Sequence, residues 1–216
     1  MQTFVFLWAP ALRACARSAP KNAWGLGNDG EPAYGLIFGS FMAFGVIGGF
    51  LEPFARKTVN SFLSPGSHQN CQEQGHGEVN PMSVHILCAS CYLISSMLLL
   101  TPFLISHDNQ YAFSLCFASF LMYELMIGLY MPCEGVVRSI YMPNESICSL
   151  MTMLRVIVNV SVAGGVISTN FMPVTYAYGV LSIMMVTASA LQMSLVPYDK
   201  IKVRFGLESL EGKKNK

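Results

Sequence analysis

Residues 111–131 read YAFSLCFASFLMYELMIGLYM, and the only charged residue in this run is Glu124. A helix rises about 1.5 Å per residue, so the run reaches across a hydrocarbon layer of about 30 Å. An ionised side chain at that depth costs about 3 kcal/mol on insertion scales, and such residues usually have a polar partner and a function. The stretch therefore predicts a membrane-spanning helix that carries a functional carboxylate.

Apolar runs of similar length recur along the chain, near 34–54, 82–105, 147–167 and 176–196. A shorter run near 1–12 has about half the length needed to span. We interpret it as the far end of a helix that begins before this chain. Together the runs predict an all-α integral membrane domain of six helices over 1–199, followed by a basic cytosolic tail over 200–216.

The composition supports this class of protein. Hydrophobic residues make up 53% of the 216 residues and charged residues 12%, about half of the roughly 25% that is typical of soluble domains. The net charge is +1 and no basic stripe exists outside the tail, which argues against a nucleic-acid partner. Seven cysteines are scattered along the chain, and those in apolar runs behave as small hydrophobes. We expect no disulfide framework, no metal, no cofactor and no enzymatic chemistry.

Basic residues beside the runs predict the orientation, because cytoplasmic loops carry an excess of Lys and Arg. With a cytosolic C-terminus, the outer side holds only Arg13, Arg17 and Lys21. The inner side then holds the larger set: Arg56, Lys57, Arg138, Lys200, Lys202, Arg204, Lys213, Lys214 and Lys216. The balance favours a cytosolic C-terminus, although the first loop runs against the rule.

Arg155 lies inside the run 147–167, and depth relates it to Glu124. On the predicted topology Glu124 lies about 20 Å below the outer surface and Arg155 about 12 Å in from the cytosolic end of its helix. The two charges then share one level. Asn159 lies one turn beyond Arg155 on the same face, and Tyr130 is a further polar candidate for the same cavity.

Arginine suits an anion site, because its guanidinium stays charged and offers a planar fork of donors to an oxyanion. Glu124 would hold the arginine when the site is empty or take up a proton. One arginine balanced by one ionised glutamate gives no net attraction for a dianion, so further positive charge or a proton is needed. The alternative is a buried ion pair that only fixes the packing of two helices.

Weaker features concern single helix ends and loops. Glu134 and Arg138 are spaced i, i+4 and predict an interfacial ion pair. Glu52 directly precedes Pro53, and we expect the second helix to end there. The loop 55–81 holds three residues of metal-ligating types, which are His68, Cys71 and His76. We interpret them as solvated rather than metal-bound.

The glycines of the second run have the spacing of helix-packing motifs. Gly35 and Gly39 form one small-xxx-small pair, and Gly45 and Gly49 form another. Small residues at this spacing let the backbones of two membrane helices approach closely. We therefore expect both pairs to lie at helix contacts.

Four segments carry a family resemblance. They read TFVFLWAPAL at 3–12, GLIFGSFMAFGVIGG at 35–49, YELMIGLYMPCEGVVRSIYMP at 123–143 and MLRVIVNV at 153–160. These segments resemble the C-terminal half of molybdate-anion transporters of the major facilitator superfamily. The resemblance implies helices seven to twelve of a twelve-helix fold, with Glu124 on the tenth and Arg155 on the eleventh. At Ile157 the chain departs from the family pattern, which has proline there.

The resemblance also implies molybdate transport across the plasma membrane, with the substrate near the midplane between two six-helix halves. Our first hypothesis is therefore the C-terminal half of an oxyanion transporter, which needs an N-terminal half that this chain lacks. A second is a non-transporting membrane half-fold that acts as a partner or assembly subunit. A third, a membrane enzyme using His85, Cys88 and Cys91, has no nucleophile–base set to support it.

Overall fold

The computed structural model describes residues 2–20, 23–27, 29–63, 81–105, 109–142, 147–168, 171 and 173–196. Within these ranges the chain forms six helices: α1 (Gln2–Ala16), α2 (Tyr34–Leu63), α3 (Pro81–Leu104), α4 (Ala112–Tyr141), α5 (Ile147–Ser168) and α6 (Val174–Ser194). All except α1 are long and apolar enough to cross a membrane. The predicted all-α architecture of a multi-pass membrane protein is confirmed at this level.

Two helices continue beyond the ends expected from hydropathy. α2 runs through Pro53 to Leu63, and α4 runs through Pro132 to Tyr141, where we expected ends at 54 and 131. A proline removes one backbone donor from a helix, but neighbouring helices hold a membrane helix together across such a gap. Glu52 therefore lies within α2, and the expectation of a helix end at this residue is wrong.

The core of the bundle lies around α4. This helix packs against α2, α3 and α1, and α3 packs in turn against α6. The ring of Phe4 on α1 lies 6.2 Å from that of Phe41 on α2 and 4.7 Å from that of Tyr123 on α4, measured between centroids. Aromatic pairs at such distances add about 0.5–1.5 kcal/mol beyond the area that they bury. These rings join three helices at one level.

α2 crosses α4 through glycines on both helices. The backbone of Gly48 lies directly against the Leu125 carbonyl, and the backbone of Gly128 lies directly against the Gly45 carbonyl, with no room for a Cβ at either position. The pair Gly45/Gly49 thus lies at the predicted helix contact, and its partner is a glycine of α4. The pair Gly35/Gly39 has no neighbour within 4 Å at its Cβ positions among the described residues, so its helix contact stays a prediction.

α3 and α6 are joined by hydrogen bonds between small side chains. The hydroxyl oxygens of Ser96 and Ser182 lie 2.9 Å apart, and Ser189 donates to the carbonyl of Ala89 at 2.8 Å. Small polar residues at a helix contact allow close approach and satisfy one another away from water. This contact holds α6 on the side of α3.

α5 lies at the edge of the bundle. Its main contact is with α1, and no residue of α5 whose burial is described is buried. Its exposed side chains are mostly apolar, with Val156, Ile157 and Val160 among the most exposed. A helix of this composition therefore presents a long apolar face that the described part of the chain leaves uncovered.

Candidate functional site

Glu124 is one of two buried carboxylates among the described residues, with only 5% of its surface exposed. It lies about 18 Å along α4 from the first residue of that helix and about 26 Å from the last. The neighbouring Tyr123 packs its ring against Phe4 of α1, and the Glu124 carbonyl lies close to Gly45 of α2. The packing of α1 and α2 on α4 therefore encloses the acid within the bundle.

Arg155 lies on α5 and is exposed, as is Asn159 one turn further along. The structure does not bring Arg155 and Glu124 into an ion pair, which corrects the expectation of a shared polar level between the two helices. α4 and α5 follow each other in the chain but are not among the helix pairs in close contact, whereas α1 packs against both of them. The position of a residue along a helix predicts its depth in the membrane, but it does not predict the side of the helix axis on which the side chain lies.

Both Arg155 and Asn159 of α5 are exposed within the described part of the chain. A guanidinium on a lipid-facing surface in the middle of a spanning helix is costly, and such groups are almost always turned towards protein or a water-filled cavity. The face that carries Arg155 and Asn159 is therefore one that needs a covering partner or a polar passage.

Tyr130 lies in the core rather than on an open surface, with 5% of its surface exposed. Its ring centroid lies 5.0 Å from that of Tyr92 on α3. Tyr130 is on the same helix as Glu124 and further towards the end at Tyr141. The structure thus places two of the four candidate binding residues inside the bundle and the other two, Arg155 and Asn159, on its exposed edge.

A polar cluster joins α3 and α4 near the C-terminal end of α4. Nη2 of Arg138 lies 2.7 Å from Oε2 of Glu134, which is the expected i, i+4 pair. The hydroxyl of Tyr92 donates to the other carboxylate oxygen of Glu134. Both oxygens of Glu134 are thus engaged, one by a cation of the same helix and one by a neighbouring helix.

Glu52 on α2 is the other buried carboxylate, with 6% of its surface exposed. Its Oε1 lies 3.4 Å from Nε of Arg56, one turn later, and accepts from the thiol of Cys133 on α4 at 3.4 Å. This buried charge therefore has a cationic side-chain partner, whereas no Lys, Arg or His side chain of the described residues forms a salt bridge with Glu124. The contact with Cys133 joins α2 to the same end of α4 that carries Glu134.

His85 at the start of α3 is fully buried and has partners at both ring nitrogens. Nε2 lies 3.0 Å from the hydroxyl of Tyr141, and Nδ1 lies 3.0 Å from Nε2 of Gln192. The side chain thus ties the ends of α3, α4 and α6 together. Its position indicates a structural role.

Sequence reasoning did not identify Tyr92, although a signal for it exists. His85, Tyr92 and Ser96 are spaced seven and four residues apart, which places them along one face of a helix. Each of them bonds a different neighbour on α4 or α6. A polar stripe on an otherwise apolar span is the pattern that marks a helix facing protein on that side.

Among the described residues no group of three or more His, Cys, Asp or Glu side chains is arranged to hold a metal ion. The loop residues His68, Cys71 and His76 and the basic tail from 200 to 216 lie outside the described ranges.

The chain was compared with protein-family models, with curated proteins and with solved structures, and no match was found in any of the three. The family resemblance of the four sequence segments therefore stays a prediction. The described structure contains a helical membrane bundle with two buried carboxylates, one polar cluster at an end of α4, and one exposed helix that carries an arginine.

Proposed function

We propose that this chain is the C-terminal six-helix half of an inorganic-oxyanion transporter of the major facilitator type, and that its substrate is molybdate. In this proposal the protein lies in the plasma membrane with its C-terminal tail in the cytosol. A second six-helix half packs against the face of α5. The four sequence segments support the family and the substrate, and the uncovered arginine supports the position of the passage.

The observation that carries the proposal is Arg155 in the middle of an exposed membrane helix. Arg155 lies about 12 Å from the start of α5 and about 20 Å from its end, so it cannot reach either surface without crossing apolar depth. A second half that covered this face would enclose a passage lined by Arg155 and Asn159. Substrates of such transporters bind near the midplane between the two halves.

The chemistry of these two side chains fits a tetrahedral oxyanion. The guanidinium of Arg155 has parallel N–H groups that can donate to two oxygens of one anion. The side-chain amide of Asn159, one turn away, supplies two further N–H groups for a third oxygen. Both side chains project from one face of one helix, so rocking of the two halves would move them together.

Charge balance requires a further contribution. Molybdate, sulfate and tungstate are dianions, and one arginine neutralises only half of that charge. Glu124 does not hold Arg155 in this structure, which leaves the guanidinium available to an anion. The remaining charge must be balanced by a cation or a proton that accompanies the substrate.

The second candidate is a non-transporting half-fold that acts as a partner or assembly subunit. The observation in its favour is the same uncovered face, because any membrane protein that packed against α5 would shield Arg155. In that case a carboxylate of the partner, rather than a substrate, would neutralise the arginine.

Uptake of radiolabelled molybdate by intact cells separates the two candidates. The full chain is expressed alone and together with the six-helix N-terminal half of a molybdate transporter that matches the resemblance. We expect insertion without uptake in the first case and uptake in the second. Unlabelled sulfate and tungstate as competitors then rank the three oxyanions.

Arg155→Lys is tested in cells that express both halves. The control is the same substitution on a different helix, Arg138→Lys. Loss of uptake in the first variant only, at equal amounts in the membrane, supports contact of Arg155 with the anion. Stable association of the two halves without any anion uptake would favour the assembly subunit.

A further inference from the structure

Two cysteines from distant parts of the chain contact each other where α1 meets α4. The Sγ atoms of Cys15 and Cys116 lie 3.7 Å apart, although 101 residues separate the two cysteines in the sequence. Both side chains are fully buried. The sulfur atoms of a disulfide lie about 2.05 Å apart, so these two need to approach by less than about 2 Å. From the sequence we expect no disulfide framework, and this contact changes that expectation for one pair.

Both cysteines lie near the same end of the bundle. Cys15 directly precedes Ala16, the last residue of α1, and Cys116 lies about 6 Å along α4 from the first residue of that helix. On the topology predicted from the basic residues, this is the outer end. Disulfides form and persist outside the cytosol, where the environment is oxidising. The position of the pair therefore suits a disulfide.

α1 is the helix that a covalent link would hold. It is the shortest of the six helices in the described part of the chain, and its 15 residues extend about 22 Å. Near the start of α1, the ring of Phe4 packs against that of Phe120 on α4, with 5.1 Å between centroids. A disulfide at Cys15 would fix the other end of α1 to the same helix.

A small space beside the last turns of α1 allows the two sulfur atoms to approach. A cavity of about 20 Å³ lies between α1, α3 and α6, and its lining consists of Ala11, Ala14, Pro102, Val174, Thr175 and Tyr178. Ala14 directly precedes Cys15, and Ala11 lies one turn before it. Close-packed interiors transmit strain, so a helix end beside a cavity can shift or rotate at lower cost than one packed on all sides.

A second pair of cysteines in the bundle has different surroundings. Cys88 on α3 interacts with Cys133 on α4, and the thiol of Cys133 donates to Oε1 of Glu52 at 3.4 Å. On the predicted topology these groups lie in the cytosolic half of the bundle, and cytosolic thiols are kept reduced. We therefore expect the second pair to remain as thiols.

We propose that Cys15 and Cys116 form a disulfide that joins α1 covalently to α4, by exchange with a small-molecule disulfide. The first protein thiol loses its proton, and its sulfur attacks the small disulfide, so that a mixed disulfide forms and one small thiol leaves. The second protein thiol loses its proton and attacks the first protein sulfur, so that the protein disulfide forms and the second small thiol leaves. Two S–H bonds of the protein are thus replaced by two S–H bonds of the released thiols.

Access to the buried pair comes from the end of α1. Helix ends open locally at a low cost in free energy, and Cys15 lies in the last turn. Opening of this turn lets the small disulfide react with Cys15 first. When the turn closes again, Cys116 meets the mixed disulfide and completes the exchange. None of these steps depends on the proposed function.

The first test identifies the bond in the full chain, purified in detergent and fully reduced. After removal of the reductant, oxidised glutathione is added, remaining thiols are alkylated, and the digested chain is analysed by mass spectrometry. We expect a cross-linked peptide pair that contains Cys15 and Cys116. Cys116→Ala should instead retain glutathione on Cys15, because the second step is blocked. Cys148→Ala, which removes an exposed cysteine on α5, should keep the cross-link.

The outcomes of this test differ clearly. A native chain in which Cys15 and Cys116 are not cross-linked overturns the proposal, as does a native chain in which either of them is joined to another cysteine. Alanine is used because buried cysteine behaves as a small hydrophobe. The native chain alone decides the matter if the alanine variants do not fold, which gel filtration establishes.

The second test measures what the bond does for the bundle. A disulfide that closes a long loop restricts the unfolded chain and stabilises the folded one. Reduction of the cross-linked native chain should therefore lower its midpoint of thermal unfolding by about 5 °C or more. The same reductant should not change the midpoint of Cys15→Ala. Equal midpoints for the cross-linked and reduced native chain would contradict a role of the bond in holding α1.

Discussion

At the scale of single residues, the chain separates its two intramembrane charges. Glu124 is buried on α4, whereas Arg155 is exposed on α5. Glu124 lies about 26 Å from the end of α4 and Arg155 about 12 Å from the start of α5, and no salt bridge joins them. The exposed guanidinium of Arg155 therefore needs a partner outside the described part of the chain, and in the proposed function an anion fills that role.

Replacement of Arg155 tests the anion contact. Arg155→Lys keeps the positive charge but loses the planar fork, and hydrogen bonds to a charged group contribute about 1.5–3 kcal/mol each. We expect uptake by the two-half protein to fall by about tenfold or more, since 1.4 kcal/mol corresponds to a factor of ten. Uptake of labelled molybdate, normalised to the protein in the membrane, measures the effect. Unchanged uptake would remove Arg155 from the site.

Exchange of the two charges tests their separation. If Glu124 and Arg155 formed a packing pair, the double variant Glu124→Arg with Arg155→Glu would recover what each single change loses. The structure predicts no recovery, because the exchange buries an unpaired guanidinium at residue 124. Thermal unfolding in detergent should show the double variant to be less stable than either single variant. Full recovery of stability would show that the two side chains do meet.

Glu134 and Arg138 should contribute unequally to stability. Glu134→Gln weakens both the bond from Tyr92 and the pair with Arg138, and we expect a loss of about 1–2 kcal/mol. Arg138→Gln leaves the bond from Tyr92 intact and removes only a partly exposed ion pair, which costs less than about 1 kcal/mol. Unfolding in detergent compares the two variants. A larger loss for Arg138→Gln would mean that the bond from Tyr92 adds little.

At the scale of helices, the crossing of α2 and α4 depends on the absence of side chains. Gly48 and Gly128 each lie directly against a carbonyl of the other helix, so a methyl group at either position must push the backbones apart. The prolines inside α2 and α4 do not end these helices, because each helix is supported by the other and by further neighbours. The packing of the pair thus overrides a local signal.

A methyl group at the crossing should be destabilising, whereas one outside it should not. Gly128→Ala is expected to cost about 1–3 kcal/mol, the range found for overpacked cores. Gly39→Ala adds the same methyl group on α2 where nothing lies within 4 Å, and alanine is the better helix former of the two residues. Thermal unfolding of both variants in detergent measures the difference. Equal stability would show that the helices can shift apart without cost.

At the scale of the whole molecule, the bundle has a packed side and an uncovered side. α3, α4 and α6 form the packed side, and α5 forms the edge with the exposed arginine. The orientation in the membrane decides which end of α4 meets the cytosol. The excess of basic residues beside the loops and in the tail predicts the cytosolic side.

Side-specific labelling tests that orientation in intact cells. A tag after Lys216 and a single cysteine at Ser67 should react only from the cytosol, and a single cysteine at Asn28 only from outside. The native cysteines are replaced in all three proteins so that each carries one reactive group. Labelling of the Asn28 position from the cytosolic side would reverse the predicted topology.

The sequence by itself determined the number, type and approximate position of the helices, since a bilayer demands long apolar runs and the chain contains them. It also singled out Glu124 and Arg155, because a charge in such a run is conspicuous, and Glu134 with Arg138, because their spacing is local. The tertiary structure alone decided which of these charges is buried and which is exposed, and which residues from other helices contact Glu52 and Glu134. These contacts depend on how α2, α3 and α4 pack. The hydropathy of a sequence predicts how deep a residue lies in the membrane, but not which neighbouring helix its side chain faces. Tyr92 at Glu134, Cys133 at Glu52 and Gly128 at Gly45 are contacts between distant parts of the sequence, and only the packed bundle could show them.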